Sequence, residues 1–189
     1  MRKFPLFLII ATLLLAVTGV SCLDSNDGND TWEEYADWRN ANDGWLEEMR
    51  QLTDVDGNSY YRTVRGPWDH NSFVLMHYFN DTTLTRGNLS PHFNSYVDVI
   101  YRVTLYDGTP IDSSYLQTSP ADSVYRTSPQ NVITGWVIAL TDMHVGDSCE
   151  VIVPYSVGYG ANGSGDILPY SHLVYSMKLV GVPFYETKP

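Results

Sequence analysis

The most regular pattern along the chain is an alternation of mainly apolar and mainly polar positions that starts at Tyr96 and ends before Asp107-Gly108. A period of two residues predicts a β-strand with one buried face. Shorter apolar runs bounded by turn residues predict further strands at Tyr60–Val64, Phe73–Phe79, near Ile111, near Val124-Tyr125, at Ser148–Val153 and at His172–Val182.

A segment nearer the N-terminus has the periodicity of a helix instead. Thr31 and Glu34 form a capping box, which predicts Thr31 as the N-cap of this helix. Residues 40–44 are poor helix formers, so an interruption of the helix at this segment is an alternative. We interpret the aromatic stripe on this helix as a packing face, with a ligand platform as the alternative. The stripe consists of side chains spaced by three, four or seven residues, namely Trp32, Tyr35, Trp38, Trp45, Met49 and Leu52.

The remaining segments complete the predicted fold. A turn is expected at Asp56-Gly57-Asn58, a loop over Asn80–Phe93, and one short helix from Val132 to about Thr141. Many short strands with a single short helix predict an α+β fold, in which the helix packs on an antiparallel sheet. The helix that starts near Trp32 precedes this unit as an N-terminal helical extension.

The first residues predict export of the chain. Arg2 and Lys3 precede an uncharged apolar run from Phe4 to Val20, and Cys22 follows almost at once. This arrangement resembles the lipobox of bacterial lipoproteins, which predicts a signal peptide over residues 1–21 and acylation of Cys22. An ordinary secretory signal with an incidental cysteine is the alternative. Residues 22–30 then form an acidic tether, and we expect a lipoprotein of the bacterial outer membrane that faces the periplasm or the cell surface.

Charge and composition narrow the classes of partner. The chain has 11 Lys and Arg against 22 Asp and Glu, a formal net charge of −11, which disfavours binding to nucleic acid and to anionic lipid headgroups. Membrane attachment is therefore expected through the lipid alone. Cys149 lies in a strand-like run and is predicted to be a buried thiol. The five histidines lack the spacing of metal ligands, so no metal site is predicted.

A series of short motifs carries the strongest functional signal. Each motif is weak alone, but their order resembles that of the FKBP family of prolyl isomerases over about Val97 to Val182. The motifs are Tyr101, Asp107-Gly108, Ile111-Asp112-Ser113-Ser114, Val132-Ile133-Thr134-Gly135-Trp136, Met143 with Gly146, Val153-Pro154, Gly158-Tyr159-Gly160, Ile167-Leu168-Pro169 and Leu173-Val174-Tyr175.

The resemblance implies an FKBP-like antiparallel sheet wrapped over one short helix, in a domain at 94–184 that follows an extension at 31–93. It implies peptidyl-prolyl cis–trans isomerase activity on proline-containing polypeptides, with no cofactor. Trp136 corresponds to the floor of the family's pocket, and the Ile133 N–H and the Tyr159 hydroxyl correspond to groups that bind a ligand carbonyl. The implied catalytic residues are Tyr101, Asp112, Ile133, Trp136, Tyr159 and Tyr175, and the implied substrate-binding residues are Ile111, Val132 and Ile167.

The sequence departs from the family's pattern at several pocket positions. Ile111 replaces a phenylalanine, and no aromatic residue occupies Ser123 or Val124, where the next pocket phenylalanine is expected. Two aromatic walls are therefore predicted to be missing or altered. Other departures are Arg102-Val103 for Thr-Gly, Asn131 for an acidic residue and Asp166 for an apolar one.

Three functions remain open at this point. The first is a prolyl isomerase for secreted or envelope proteins, and the second is an isomerase-like binding or chaperone module with little turnover. The third is a surface lipoprotein whose aromatic N-terminal helix docks a partner. An exposed face formed by Trp32, Trp38 and Trp45 would favour this third function, whereas a buried face would count against it.

Overall fold

The structure is a computed structural model that describes residues 30–185. The predicted signal peptide, Cys22 and the tether as far as residue 29 lie outside the described residues. Between residues 30 and 185, no helix is both long enough and apolar enough to cross a membrane.

The order of elements follows the sequence prediction closely, with shifts of up to four residues at element ends. Helices α1 and α2 come first, and a third helix, α3, lies between the fifth and sixth strands. The helices are α1 (Asp30–Glu34), α2 (Ala36–Gln51) and α3 (Thr134–Asp142). The strands are β1 (Arg62–Gly66), β2 (Asp69–Tyr78), β3 (Val97–Leu105), β4 (Pro110–Ser113), β5 (Tyr125–Thr127), β6 (Ser148–Val153) and β7 (Leu173–Gly181).

The strands form one antiparallel sheet of seven strands in the order β1-β2-β6-β7-β3-β4, with β5 also paired to β3. The predicted strand with a period of two is β3, which pairs along its length with β7. On its other edge, β3 pairs first with β5, at Val97–Val99, and then with β4, at Arg102–Thr104. Tyr101 lies between these two pairings. Strands β1 and β2, from the 31–93 segment, therefore share a sheet with strands of the 94–184 segment.

Helix α3 is the central helix of the fold. Its residues from Gly135 to Leu140 are all buried, as expected for a helix with apolar residues on every side. Gly135 allows the helix to approach the sheet closely, because a Cβ at this position would lie 2.4 Å from Cγ1 of Val153 on β6. This close approach places Trp136, the next residue, against the sheet.

The N-terminal helices differ from the prediction in where they start and where they are interrupted. Helix α1 begins at Asp30, so the predicted N-cap role of Thr31 is wrong; the Thr31 hydroxyl instead lies 3.3 Å from the Tyr170 hydroxyl. The interruption falls at Tyr35, and α2 continues without a break through residues 40–44. Tertiary contact overrides low helix propensity there, because buried Asn42 accepts a 2.9 Å hydrogen bond from the His172 N–H.

The aromatic stripe, which runs along α1 and α2, is largely a packing face, as predicted. Trp38 packs against the main core, and Trp45 and Met49 pack against a smaller cluster formed by Tyr61, Leu75 and Ile152. Trp32 is 44% exposed, with the Arg39 guanidinium 3.3 Å above its ring. The helix is therefore packed against the sheet rather than extended away from it.

The prediction of a buried thiol is also confirmed. Cys149 on β6 has no exposed surface, and its Sγ lies 3.7 Å from the sulfur of Met143. Burial raises the pKa of this thiol well above its usual range, so the group stays protonated and unreactive.

Candidate active site

A cavity of about 470 Å³ opens between α3, the β3–β4–β5 edge of the sheet and the connection from β6 to β7. The structure brings all nine sequence-predicted site residues of the folded region to this cavity. Three further residues that the sequence reasoning missed also line it. The predicted residues are Tyr101, Ile111, Asp112, Val132, Ile133, Trp136, Tyr159, Ile167 and Tyr175, and the additional ones are Val103, Tyr125 and Asn131.

The floor of the cavity is an aromatic cluster centred on Trp136, which is only 4% exposed. The rings of Tyr101 and Tyr175 stand edge-on to the indole, with centroids 5.1 and 5.4 Å away, and that of Tyr125 lies at 6.4 Å. Edge-to-face geometry of this kind is favourable for aromatic pairs. Burial raises the pKa of the Tyr175 hydroxyl, so the floor carries no charge.

The polar rim of the cavity is built by β3 and β4. The Tyr101 hydroxyl donates a 2.6 Å hydrogen bond to Oδ2 of Asp112, and the Ser113 N–H donates one of 2.7 Å to Oδ1. Burial, and then this hydrogen bond to Asp112, raise the pKa of Tyr101, so the phenol remains a donor. Buried Ser114 fills the gap between β4 and β5, accepting from the Tyr101 N–H at 3.0 Å.

The start of α3 places a backbone donor at the cavity. Ile133 occupies the N-cap position with extended backbone angles, φ −60° and ψ 152°, and its carbonyl accepts from the N–H groups of Trp136 and Val137. Its own N–H has no acceptor within residues 30–185. Free N–H groups and positive potential are characteristic of a helix N-terminus, so this position suits a ligand carbonyl.

The connection from β6 to β7 forms the remaining wall with Tyr159 and Ile167. Tyr159 is 37% exposed, burial raises the pKa of its hydroxyl, and no hydrogen bond to that hydroxyl is present in the described part of the chain. Ile167 is buried in a tight turn in which Ser164 and Ile167 exchange backbone hydrogen bonds. Gly163 is required there, because its φ is +65° and a Cβ would lie 2.2 Å from the Ile167 carbonyl oxygen.

No aromatic residue stands at Ser123 or Val124, as expected. The wall is altered rather than missing, because Tyr125 supplies a ring 5.8 Å from that of Tyr101. Ser123 has a positive φ of 62° and Val124 is buried, so the chain turns and Tyr125 is the first residue of β5. The strand predicted at Val124-Tyr125 was the feature of the sequence from which Tyr125 could have been identified as a lining residue. Ile111 lines the cavity as an aliphatic wall, as expected.

This arrangement suits one kind of ligand. The aromatic floor fits a compact apolar ring, and the Ile133 N–H and the Tyr159 hydroxyl, which line the same cavity, are available to donate to carbonyl groups. The site has no nucleophile paired with a base. It can therefore bind and orient a ligand and exclude water, without forming a covalent intermediate.

Comparison with known proteins identifies the family. The family model described as "FKBP-type peptidyl-prolyl cis-trans isomerase" matches residues 87–180, a range that contains every residue lining the cavity. FK506-binding protein 1 of Dictyostelium discoideum is 32% identical over 96 residues, which are 50% of this chain and 87% of that protein.

Two further relatives match over a smaller share of their own length. The macrophage infectivity potentiator of Trypanosoma cruzi is 35% identical over 97 residues, 51% of this chain and 47% of that protein. The FKBP-type 22 kDa peptidyl-prolyl cis-trans isomerase of Escherichia coli is 41% identical over 88 residues, 46% of this chain and 40% of that protein. The chain thus spans about half the length of these curated relatives.

A solved structure shows the same fold. The peptidyl-prolyl cis-trans isomerase of Pseudomonas syringae pv. tomato superposes with a TM-score of 0.60 and 24% sequence identity, covering 78% of this chain and 95% of that one. The fold, the motif series and the Dictyostelium relative agree. The chain belongs to the FKBP-type peptidyl-prolyl cis–trans isomerase family.

Proposed function

We propose that the chain is a peptidyl-prolyl cis–trans isomerase that acts on X-Pro bonds of secreted or envelope proteins. The observation that carries this proposal is the aromatic floor at Trp136, with the Ile133 N–H and the Tyr159 hydroxyl both without a partner in the described chain. Under this proposal, residues 94–184 are the isomerase domain, and residues 31–93 are an extension that contributes β1 and β2 to its sheet.

The chemistry requires no nucleophile. Amide resonance sets a barrier of ~18–20 kcal/mol to rotation about a peptide bond. A dry pocket disfavours the charge-separated resonance form and so favours the twisted amide. Donors that fit the rotated carbonyl better than the planar one lower the barrier further.

Each of the nine sequence-predicted lining residues has a role in this scheme. The proline ring packs on Trp136 between Tyr175 and the apolar side chains of Val132 and Ile111. The Ile133 N–H and the Tyr159 hydroxyl bind the carbonyls beside it, and Ile167 closes the wall next to Tyr159. Tyr101 is a side wall whose orientation Asp112 fixes through the 2.6 Å hydrogen bond.

Attachment to the bacterial outer membrane through acylated Cys22 is part of the proposal. Support comes from the apolar run of residues 4–20, which ends two residues before this cysteine. The net charge of −11 adds to it, because it disfavours attachment through the protein surface and binding to nucleic acid. Mass spectrometry of membrane-extracted protein should show a lipidated N-terminal Cys22. Cleavage at another position would rule this out.

A second candidate is an isomerase-like binding module with little turnover. The aliphatic wall at Ile111 favours it, because an aromatic ring would exclude water from the pocket more completely. Docking of a partner through the aromatic helix is less well supported, since Trp38 and Trp45 are half-buried against the two core clusters.

A protease-free isomerisation assay separates the two candidates. The full-length chain in detergent would be mixed with several X-Pro peptides, and circular dichroism would confirm that it is folded. We expect faster cis–trans relaxation at substoichiometric protein. Peptide binding with only the uncatalysed rate on every peptide would favour the binding module.

A further inference from the structure

The connection from β6 to β7, residues 154–172, carries two lining residues of the pocket, Tyr159 and Ile167. Its own support consists of several backbone hydrogen bonds, including Tyr170 N–H to Gly160 O at 3.0 Å, and of Val157 and Ile167, which are buried in the main core. Much of the segment is exposed, including Leu168 at 41%. The exposed remainder of this pocket wall therefore depends in part on contacts from outside the connection.

Helix α2 holds it through one continuous path of hydrogen bonds. The indole Nε1–H of Trp38 donates to Oγ of Ser171 at 3.1 Å, and the Ser171 hydroxyl donates to the Leu168 carbonyl at 2.7 Å. Leu168 is bonded directly to Ile167, which lines the pocket. Ser171 is only 2% exposed, so water competes little for either of its bonds.

Other contacts join the N-terminal helices to the same end of the connection. The Trp32 ring stands edge-on to that of Tyr170 at 5.4 Å, and Asn42 accepts a hydrogen bond from the His172 N–H. The His172 ring in turn accepts a 3.0 Å hydrogen bond from the Tyr155 N–H at the start of the connection. Both ends of the connection are thus tied to α2, an element that precedes the family-matched residues 87–180.

We propose that Trp38 is a positioning residue of the isomerase site, which acts through Ser171 on the loop carrying Ile167 and Tyr159. This inference rests on the proposed function, since it assigns part of that site's substrate binding to the N-terminal helix. The helix then contributes to the shape of the pocket, although none of its residues lines the pocket.

The test compares Trp38→Phe, which removes the indole N–H and keeps an aromatic ring, with Ser171→Ala and the double variant, all in the full-length chain. Trp45→Phe is the matched control, because Trp45 lies on the same helix and packs away from the connection. We expect KM for an X-Pro peptide to rise about threefold to tenfold in Trp38→Phe, with kcat nearly unchanged. The KM of the double variant should be no higher than that of the more affected single variant, because both changes interrupt the same hydrogen-bond path.

The kinetic pattern separates positioning from simple loss of folded protein. Partial unfolding would lower kcat and leave KM unchanged, and that pattern in Trp38→Phe would overturn the proposal. The proposal would also be overturned if the increases in KM of the two single variants multiplied in the double variant.

Hydrogen–deuterium exchange gives a readout that does not depend on catalysis. Amides of residues 158–170 should exchange faster in Trp38→Phe than in wild type, and at the wild-type rate in Trp45→Phe. Unchanged exchange in Trp38→Phe would contradict the proposal even if the wild type proved inactive. An inactive wild type with the expected exchange pattern would instead contradict the proposed function alone.

Discussion

The Tyr101 hydroxyl donates a 2.6 Å hydrogen bond to Asp112, and the ring of the same tyrosine stands edge-on to Trp136 with centroids 5.1 Å apart. One side chain therefore joins the polar rim of the pocket to its apolar floor. Its position follows from the sheet, because Tyr101 lies where β3 leaves its pairing with β5 and begins its pairing with β4.

Loss of this hydrogen bond should slow catalysis without unfolding the protein. In Asp112→Ala the Tyr101 ring loses the acceptor that fixes it, and Tyr101→Phe removes the donor. We expect each change to lower kcat/KM for X-Pro peptides about threefold to tenfold, since the carboxylate is solvent-exposed and its hydrogen bond is screened. Glu48→Ala on the exposed face of α2 removes the same charge far from the rim and should leave the rate unchanged. Equal kcat/KM values for the wild type and all three variants would show that the polar rim has no role in catalysis.

Enlarging the aliphatic wall should increase activity. Ile111→Phe places a ring opposite the Trp136 floor and displaces water from the pocket, which favours the twisted amide. We expect kcat/KM to rise about threefold, the effect of burying roughly one more methylene equivalent. Ile111→Leu, which keeps the volume, is the control. A fall in activity on Ile111→Phe, with the fold intact, would mean that the wall is already close-packed against the substrate.

Two glycine substitutions should have opposite effects on stability. Gly135→Ala places a Cβ 2.4 Å from Val153 Cγ1 and should lower the free energy of unfolding by about 1–3 kcal/mol. Gly44→Ala lies within α2 with no atom within 4 Å of the added Cβ, and should raise it by up to about 1 kcal/mol. Urea unfolding of both variants measures the difference. A neutral Gly135→Ala would show that α3 is not pressed against β6.

Acid should destabilise the fold through His172. Burial lowers the pKa of this histidine from 6.5 to about 4, and the nearby Asp43 carboxylate raises it by less. The unfolded chain therefore takes up the proton at a higher pH than the folded chain. The stability is fully present above about pH 6.5 and is lost as the pH falls from there towards 4.

Unfolding measurements at pH 7 and pH 4.5 check this expectation. His172 should account for about 2 kcal/mol of the loss between these values, because its pKa is 6.5 in the unfolded chain and about 4 in the folded chain. His172→Gln should therefore have a weaker pH dependence than wild type, and Asp43→Asn a slightly stronger one. The same pH dependence in His172→Gln and wild type would contradict the assignment.

The sequence predicted those features that depend on local pattern and motif order. The alternation of β3 and the uniformly apolar α3 indicated the sheet and its central helix. The motif series identified nine lining residues, of which seven lie on or close to a strand or helix and two, Tyr159 and Ile167, lie in the connection from β6 to β7. Asp107-Gly108 similarly marks the turn that ends β3.

Features that depend on tertiary contact were not predicted. Tyr125 lies just after an irregular loop, where spacing alone could not align the chain, and its ring reaches the pocket only through the pairing of β5 with β3. Helix α2 continues through residues 40–44 because Asn42 bonds to His172, a residue far away in the sequence. The path from Trp38 to Ser171 likewise joins residues that no local pattern connects.

The central claim is that this pocket speeds rotation about the X-Pro bond, and NMR exchange spectroscopy measures that rotation directly. An X-Pro peptide is observed with a small fraction of full-length protein, in parallel with Tyr159→Phe, which removes one carbonyl donor and keeps the ring. The account predicts cis–trans exchange cross-peaks whose intensity rises with the concentration of wild-type protein. With Tyr159→Phe, the exchange rate at the same protein concentration should be lower, by about tenfold or less. Folded wild-type protein that broadens the peptide signals by binding, yet leaves the exchange rate at its uncatalysed value, would contradict it.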